Sequence, residues 1–184
     1  MDLDRYYKKR DFNSTTEPKG YVKKSEGELI FVVQKHYATH LHYDFRLEVD
    51  GALKSWAIPK GPSINPEQRR LAILVEDHPY SYKDFEGIIP EGNYGAGSVI
   101  VWDTGTYTLA EENDEDFEKN IKEDLQNGHL SFILNGKKLN GEFTLARMNI
   151  KQKNAWFLIK KDDKFASEID ILKNNKSVIS GKIL

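Results

Sequence analysis

A chain of 184 residues and 21.2 kDa is sized for one domain, enough to close a barrel or stack two layers around a core. Its 27 basic and 29 acidic residues leave a net charge of −2, so any nucleic-acid site must be a local patch rather than a uniformly cationic surface. The absence of cysteine excludes disulfides, thiolate zinc sites and cysteine nucleophiles, and no membrane-length apolar run or signal-peptide core is present, which points to a soluble intracellular protein.

Residues 1–28 are polar and read as an N-terminal arm; residues 1–24 carry seven basic and four acidic groups. A strand is expected over 29–35. Residues 40–49 alternate strictly, and Asp50-Gly51 marks a hairpin turn into a returning strand over 52–58. Pro59-Lys60-Gly61-Pro62 ends that strand. Another strand is expected over 71–77, a shaped loop from Gly87 to Gly97, and strands over 98–102 and 105–109 around a turn at Asp103-Thr104. From Asp114 to Asn127 the spacing of Phe117, Ile121 and Leu125 predicts a helix closed by Gly128, with its acids crowding the N-terminal half. Strands over 129–134, 142–147 and 155–160 follow, with Asn135-Gly136 and Asn140-Gly141 as turns.

Roughly eight strands and one or two helices make a mostly β chain, a closed or nearly closed barrel with flanking helices. The expected division is an arm over 1–28, a barrel over 29–165 and a tail or linker over 166–184. Charge is uneven, with eight acids and two lysines over 111–124, and eleven basic against five acidic groups over 136–184. Charge alone favours ordinary solvated surface for these blocks.

The alternating strand carries the chemistry. Leu41, Tyr43, Phe45, Leu47 and Val49 share one parity; His40, His42, Asp44, Arg46 and Glu48 share the other. Same-face side chains recur at about 6.8 Å, so His42 and Asp44 can reach one point between them. Imidazole with carboxylate suits Mn, Fe or Zn, and the Arg46 fork beside them suits an oxyanion. His36 ends the preceding strand and can approach the same point, while His78, with Glu76 on its parity, can enter from a neighbouring strand. His40 reads as a rim residue and His129 as structural. No G-x-S-x-G or Lys-x-Asp-Gly motif is present, and Gly92 to Gly97 follows no strand–helix junction, so a turn-rich loop is preferred to a phosphate cradle.

Several runs are specific. They are Phe31-Val32-Val33-Gln34-Lys35-His36, Leu41-His42-Tyr43-Asp44-Phe45-Arg46-Leu47-Glu48, Lys54-Ser55-Trp56-Ala57-Ile58-Pro59-Lys60-Gly61-Pro62 and Val75-Glu76-Asp77-His78-Pro79. With Asp84-Phe85-Glu86-Gly87, Ile89-Pro90-Glu91-Gly92, Tyr94-Gly95-Ala96-Gly97, Trp156-Phe157-Leu158-Ile159-Lys160 and the arm segments Lys9-Arg10-Asp11-Phe12 and Thr16-Glu17-Pro18, the chain resembles the 3′-phosphoesterase domain of bacterial DNA ligase D, of nonhomologous end joining.

That resemblance implies a β-barrel enzyme that trims a 3′-terminal ribonucleotide from a primer-template, using the neighbouring 2′-OH. It then removes the resulting 3′-phosphate to leave a 3′-OH. It implies metal ligands at His36, His42 and Asp44, and Mn²⁺ as the metal, with Co²⁺ or Zn²⁺ as other candidates. Phosphate contacts fall on Arg46, His78 and Arg70, with Tyr82 close by. Gln34, Lys60 and Glu76 match supporting positions, and Arg10, Asp11 and Glu17 match arm residues used for ribonucleotide removal. His78 is open between holding a phosphoryl oxygen and giving a proton to the leaving oxygen. Expected partners are DNA 3′ ends and a separately encoded ligase and polymerase, in the cytoplasm at the nucleoid, with no membrane. Ser177-Val178-Ile179-Ser180-Gly181 resembles the start of the family's linker, so the chain is either standalone or an excised domain, and the opening methionine favours the former.

Two rivals remain from the residues. One is an iron/2-oxoglutarate oxygenase with His42, Asp44 and His78 as a facial triad and Arg46 on the co-substrate carboxylate. The other is a noncatalytic module binding nucleic-acid ends or a partner.

Overall fold

The computed structural model describes residues 2–25, 27–111, 117–148 and 154–184. Its strands run in chain order as β1 (Ile30–Tyr37), β2 (Leu41–Val49), β3 (Ala52–Ile58), β4 (Arg70–Leu74), β5 (His78–Pro79), β6 (Gly87–Ile89), β7 (Gly97–Leu109), β8 (His129–Gly136), β9 (Asn140–Arg147) and β10 (Ala155–Lys160). Two helices, α1 (Asp4–Lys8) and α2 (Phe117–Asn127), accompany them. The order β1-β2-β3-β4-β10-β9-β8-β7 returns to β1 through β1–β7 pairing, which closes an eight-stranded antiparallel barrel; β5 adds to β3 and β6 to β7. Closure leaves no free edge in the main barrel. No described helix is long and apolar enough to cross a membrane.

The alternating pattern selects the face. Phe31 and Val33 on β1 and Tyr43, Phe45, Leu47 and Val49 on β2 join Trp56, Trp102, Phe132, Phe143 and Trp156 in one buried cluster, drawn from every barrel strand. That parity fills the interior. Asp50 and Gly51 both take positive φ, as a two-residue hairpin turn requires, and pin the register that pairs Arg46 with Ser55. On α2, Ile121 and Leu125 meet the same interior cluster, and the Gly128 N–H closes the helix onto the Asp124 carbonyl. Asp114 to Asp116 of the expected helix lie outside the described residues.

Four expectations are corrected. Residues 98–102 and 105–109 belong to one strand, β7. Asp103 sits at a register shift in the β1–β7 pairing and turns its carboxylate onto the backbone N–H groups of Lys138 and Leu139, so a local irregularity had the signature of a turn. Asn135 and Asn140 are partners across the β8–β9 ladder; the two Asn-Gly pairs flank a single hairpin instead of making two turns. The Gly87–Gly97 stretch contains β6. The strand expected over 71–77 ends at Leu74, which frees Val75, Glu76 and Asp77 to cross toward β5.

Candidate active site

The polar parity of β2 faces the outside of the barrel wall, yet most of it is buried. Asp44, Arg46 and Glu48 are covered, as are Gln34 and His36 from β1. The cover is α1 with the chain that follows it, and the segment from Glu76 to Gly95. Tyr6 is fully buried in a second apolar cluster with Val32, Leu53, Tyr82 and Val101, outside the barrel interior. The site is therefore a roofed cleft of about 280 Å³ on the outer wall.

Antiparallel register sets His36 opposite His42, and Gln34 opposite Asp44. The two imidazole centroids lie 4.7 Å apart. His36 Nδ1 is 3.6 Å from Asp44 Oδ2, and His42 Nε2 is 3.7 Å from Asp44 Oδ1. One ligand atom from each of the three lies within 4.8 Å of the others. Each imidazole is oriented through its other nitrogen: His36 Nε2 bonds the Gly95 carbonyl at 2.9 Å, and His42 Nδ1 the His40 carbonyl at 3.0 Å. Those bonds fix the N–H there and turn the lone pairs of Nδ1 and Nε2 toward the carboxylate. Burial opposes ionisation of Asp44, but the Arg46 guanidinium beside it outweighs burial and holds the carboxyl far below the usual range. Two imidazole lone pairs and an ionised carboxylate form a donor set that fits a divalent metal with positions left open.

Arg46 is 2% exposed and held from three sides. Nε donates to Gln34 Oε1 (2.8 Å), Nη1 to Ser55 Oγ (2.8 Å) and Nη2 to Asp44 Oδ2 (3.2 Å), and its guanidinium lies 4.9 Å from the centre of the Tyr82 ring. His78 stands between two guanidiniums: Nδ1 is 3.0 Å from Arg46 Nη1 and 2.9 Å from the Glu76 carbonyl, and Nε2 is 3.3 Å from Arg10 Nη2. Burial, then Arg46 and Arg10, push its pKa well below the ordinary value, so it is neutral. The oxygenase triad fails here, because His36 rather than His78 completes the cluster with His42 and Asp44.

The arm closes the cleft. Arg10 Nε donates to Glu17 Oε1 at 2.9 Å and Nη1 reaches Glu76 Oε1 at 3.2 Å. Glu17 Oε1 also accepts from Tyr82 OH at 2.8 Å. Burial and the Glu17 charge push Tyr82 well above the phenolic range, so it remains a donor. Burial opposes ionisation of Glu76, while Lys9 and Arg10 outweigh it and hold it low. Gln34 Nε2 donates to the carbonyls of Tyr82 and Phe85, which seats the Tyr80–Asp84 3₁₀ turn against β1.

Among the residues expected at the site, His36, His42, Asp44, Arg46, His78, Tyr82, Glu76, Arg10 and Glu17 line this cleft, with Gln34 directly behind Arg46. Three stand elsewhere. Asp11 is exposed and accepts from Asn13 in a local turn. Lys60 and Arg70 line a separate recess with Ser63, Gln68 and Asp170, where Arg70 Nη2 donates to Gln68 Oε1 at 2.7 Å. Ser55, Lys9 and Tyr94 were not among the expected residues. The Asp50-Gly51 hairpin count, which sets Arg46 opposite Ser55, was a sufficient signal for Ser55; Lys9 and Tyr94 meet across 85 positions of sequence and carry none.

Residues 34–147 match the family model described as the DNA Ligase D 3′-phosphoesterase domain. The chain belongs to that family. It is 51% identical over 189 residues to the multifunctional non-homologous end joining protein LigD of Pseudomonas aeruginosa, covering 99% of this chain and 22% of the relative. Against the LigD proteins of Mycobacterium tuberculosis and Mycolicibacterium smegmatis, identity is 45% over 148 residues and 38% over 174. Those matches cover 80% and 91% of this chain, and 18% and 22% of the relatives. The chain thus spans about a fifth of the length of these curated relatives. His36, His42, Asp44, Arg46 and His78 all lie inside the matched stretch.

Proposed function

We propose that the chain is a metal-dependent phosphoesterase that processes DNA 3′ ends. It removes a 3′-terminal ribonucleotide and then the remaining 3′-phosphate from a primer-template, leaving a 3′-OH for repair ligation. The observation that carries this reading is the His36–His42–Asp44 donor set with the Arg46 guanidinium bonded to its carboxylate, inside one cleft of a family member.

His36, His42 and Asp44 would hold a divalent ion, which would supply Lewis-acid neutralisation of a phosphoryl oxygen. Arg46 gives the second positive centre, preorganised by Gln34, Ser55 and Asp44, so little reorganisation accompanies charge development. In monoester hydrolysis water bonds to phosphorus, the bond to O3′ breaks and a proton passes to O3′. Neutral His78 donates from Nδ1 to the Glu76 carbonyl and accepts from Arg10 at Nε2, so it orients Arg10 and adds no charge of its own. Lys60 and Arg70, in their own recess, are proposed for phosphate contacts further along the strand.

Mn²⁺ is the proposed metal, since an imidazole–carboxylate set takes borderline ions; Co²⁺ and Zn²⁺ share that preference. A DNA ligase and a polymerase are the proposed partners, because the relatives are named as multifunctional end-joining proteins. The proposed location is the cytoplasm at the nucleoid, where such ends occur. Incubating the protein and Mn²⁺ with a labelled primer-template ending in one ribonucleotide tests the reading. It predicts a 3′-phosphate product followed by a 3′-OH product; an unaltered primer contradicts it.

A further inference from the structure

Tyr94 belongs to none of the roles above, yet it lines the cleft. It is 49% exposed, although both neighbouring layers hold it in place. Its chain neighbour Gly95 carries the carbonyl that orients His36, so the ring is tethered one residue from the metal-ligand shell. Its hydroxyl accepts from Lys9 Nζ at 3.1 Å, and the same ammonium, 2.9 Å from Glu76 Oε2, stands 4.3 Å from the ring centroid. The Arg10 guanidinium is 5.6 Å from that centroid. The loop bearing Tyr94 is further tied to the arm by Ser14 to Asn93 and Thr16 to the Ile88 carbonyl.

A half-open aromatic ring beside two cations, at the rim of a phosphoryl site, has the composition of a nucleoside-stacking platform. We propose that Tyr94 stacks against the terminal ribonucleoside, the group lying beyond the scissile phosphate, and that Lys9 holds the ring in that attitude. This rests on the 3′-end-processing reading and adds a discriminator to it. The diester substrate carries a nucleoside beyond the scissile phosphate, away from the primer; the 3′-phosphate monoester carries none there. Tyr94 therefore serves the first reaction and has little to hold in the second.

The test compares Tyr94→Ala, Tyr94→Leu and Tyr94→Phe with the wild type on two primer-templates, one ending in a ribonucleotide and one in a 3′-phosphate. Loss of stacking predicts a KM about tenfold higher for the ribonucleotide end in the Ala and Leu variants, with phosphate release within about twofold of wild type. Phe keeps the ring without the Lys9 hydrogen bond and is expected to restore KM to within about twofold. Equal losses on both ends, no change on either, or a Phe variant as impaired as Ala would each overturn the assignment, the last by making Tyr94 a latch for the arm. A wild-type protein inert on both ends would instead remove the 3′-end-processing reading on which the assignment stands.

Discussion

Arg46 and Asp44 stand two residues apart on one face of β2, and the guanidinium donates to the carboxylate across 3.2 Å. That carboxylate is also the group His36 and His42 approach, at 3.6 and 3.7 Å. The Arg46 guanidinium and the candidate metal-binding cluster therefore share one carboxylate, and a change at Asp44 reaches both.

Arg46→Lys keeps a positive charge but cannot bond Gln34, Ser55 and Asp44 at once. Phosphate release should fall by about 10²-fold or more, the range for losing a preorganised donor. Steady-state kinetics on a 3′-phosphate primer-template check this, and a kcat within threefold of wild type would show that charge alone suffices.

Glu17 joins Arg10 to Tyr82, from the arm to the wall of the cleft. Glu17→Gln removes the charge that faces Arg10. Ribonucleotide removal should fall severalfold more than phosphate release if the arm, as proposed, meets the part of the substrate beyond the phosphate. Parallel assays of the two steps decide it, and equal losses count against a selective arm.

The neutral His78 gives stability a pH dependence. Its folded pKa is depressed, so the unfolded chain takes a proton below about 6.5 that the native state refuses. Stability from this group is complete above that pH and declines as pH falls, by at most about 1.4 kcal/mol per unit. Asp103 acts oppositely: burial raises it to about 6, so the native state gains a proton and stability as pH falls through that value. His78→Gln removes the first effect and leaves the second. Chemical unfolding from pH 7.5 to 5 should therefore show the wild type losing its margin over the variant; parallel curves would mean that His78 is not held neutral.

Much of the site could be read without coordinates because strand parity is local. Once 40–49 alternates, His42, Asp44 and Arg46 must share a face, and a neighbouring antiparallel strand with His36 near its end places the second imidazole. What parity cannot give is which side of the wall the face lies on, or what covers it. The cover comes from Tyr6 and Arg10, in a segment whose polar composition hides a fully buried phenol, and from the 76–95 segment, whose path depends on β4 stopping at Leu74. Lys60 and Arg70 were separated from the cleft by tertiary packing around Gln68 and Asp170, which no spacing encodes.

His36, His42 and Asp44 are proposed to hold the ion on which phosphate release depends. The direct measurement is phosphate release from a 3′-phosphate primer-template by protein stripped with chelator, before and after Mn²⁺ is restored, in wild type and His42→Ala. Release should be absent without metal, recover fully in the wild type and stay absent in the variant at the same Mn²⁺ concentration. Release by the stripped protein at the undiminished rate, or full recovery in His42→Ala, would contradict it.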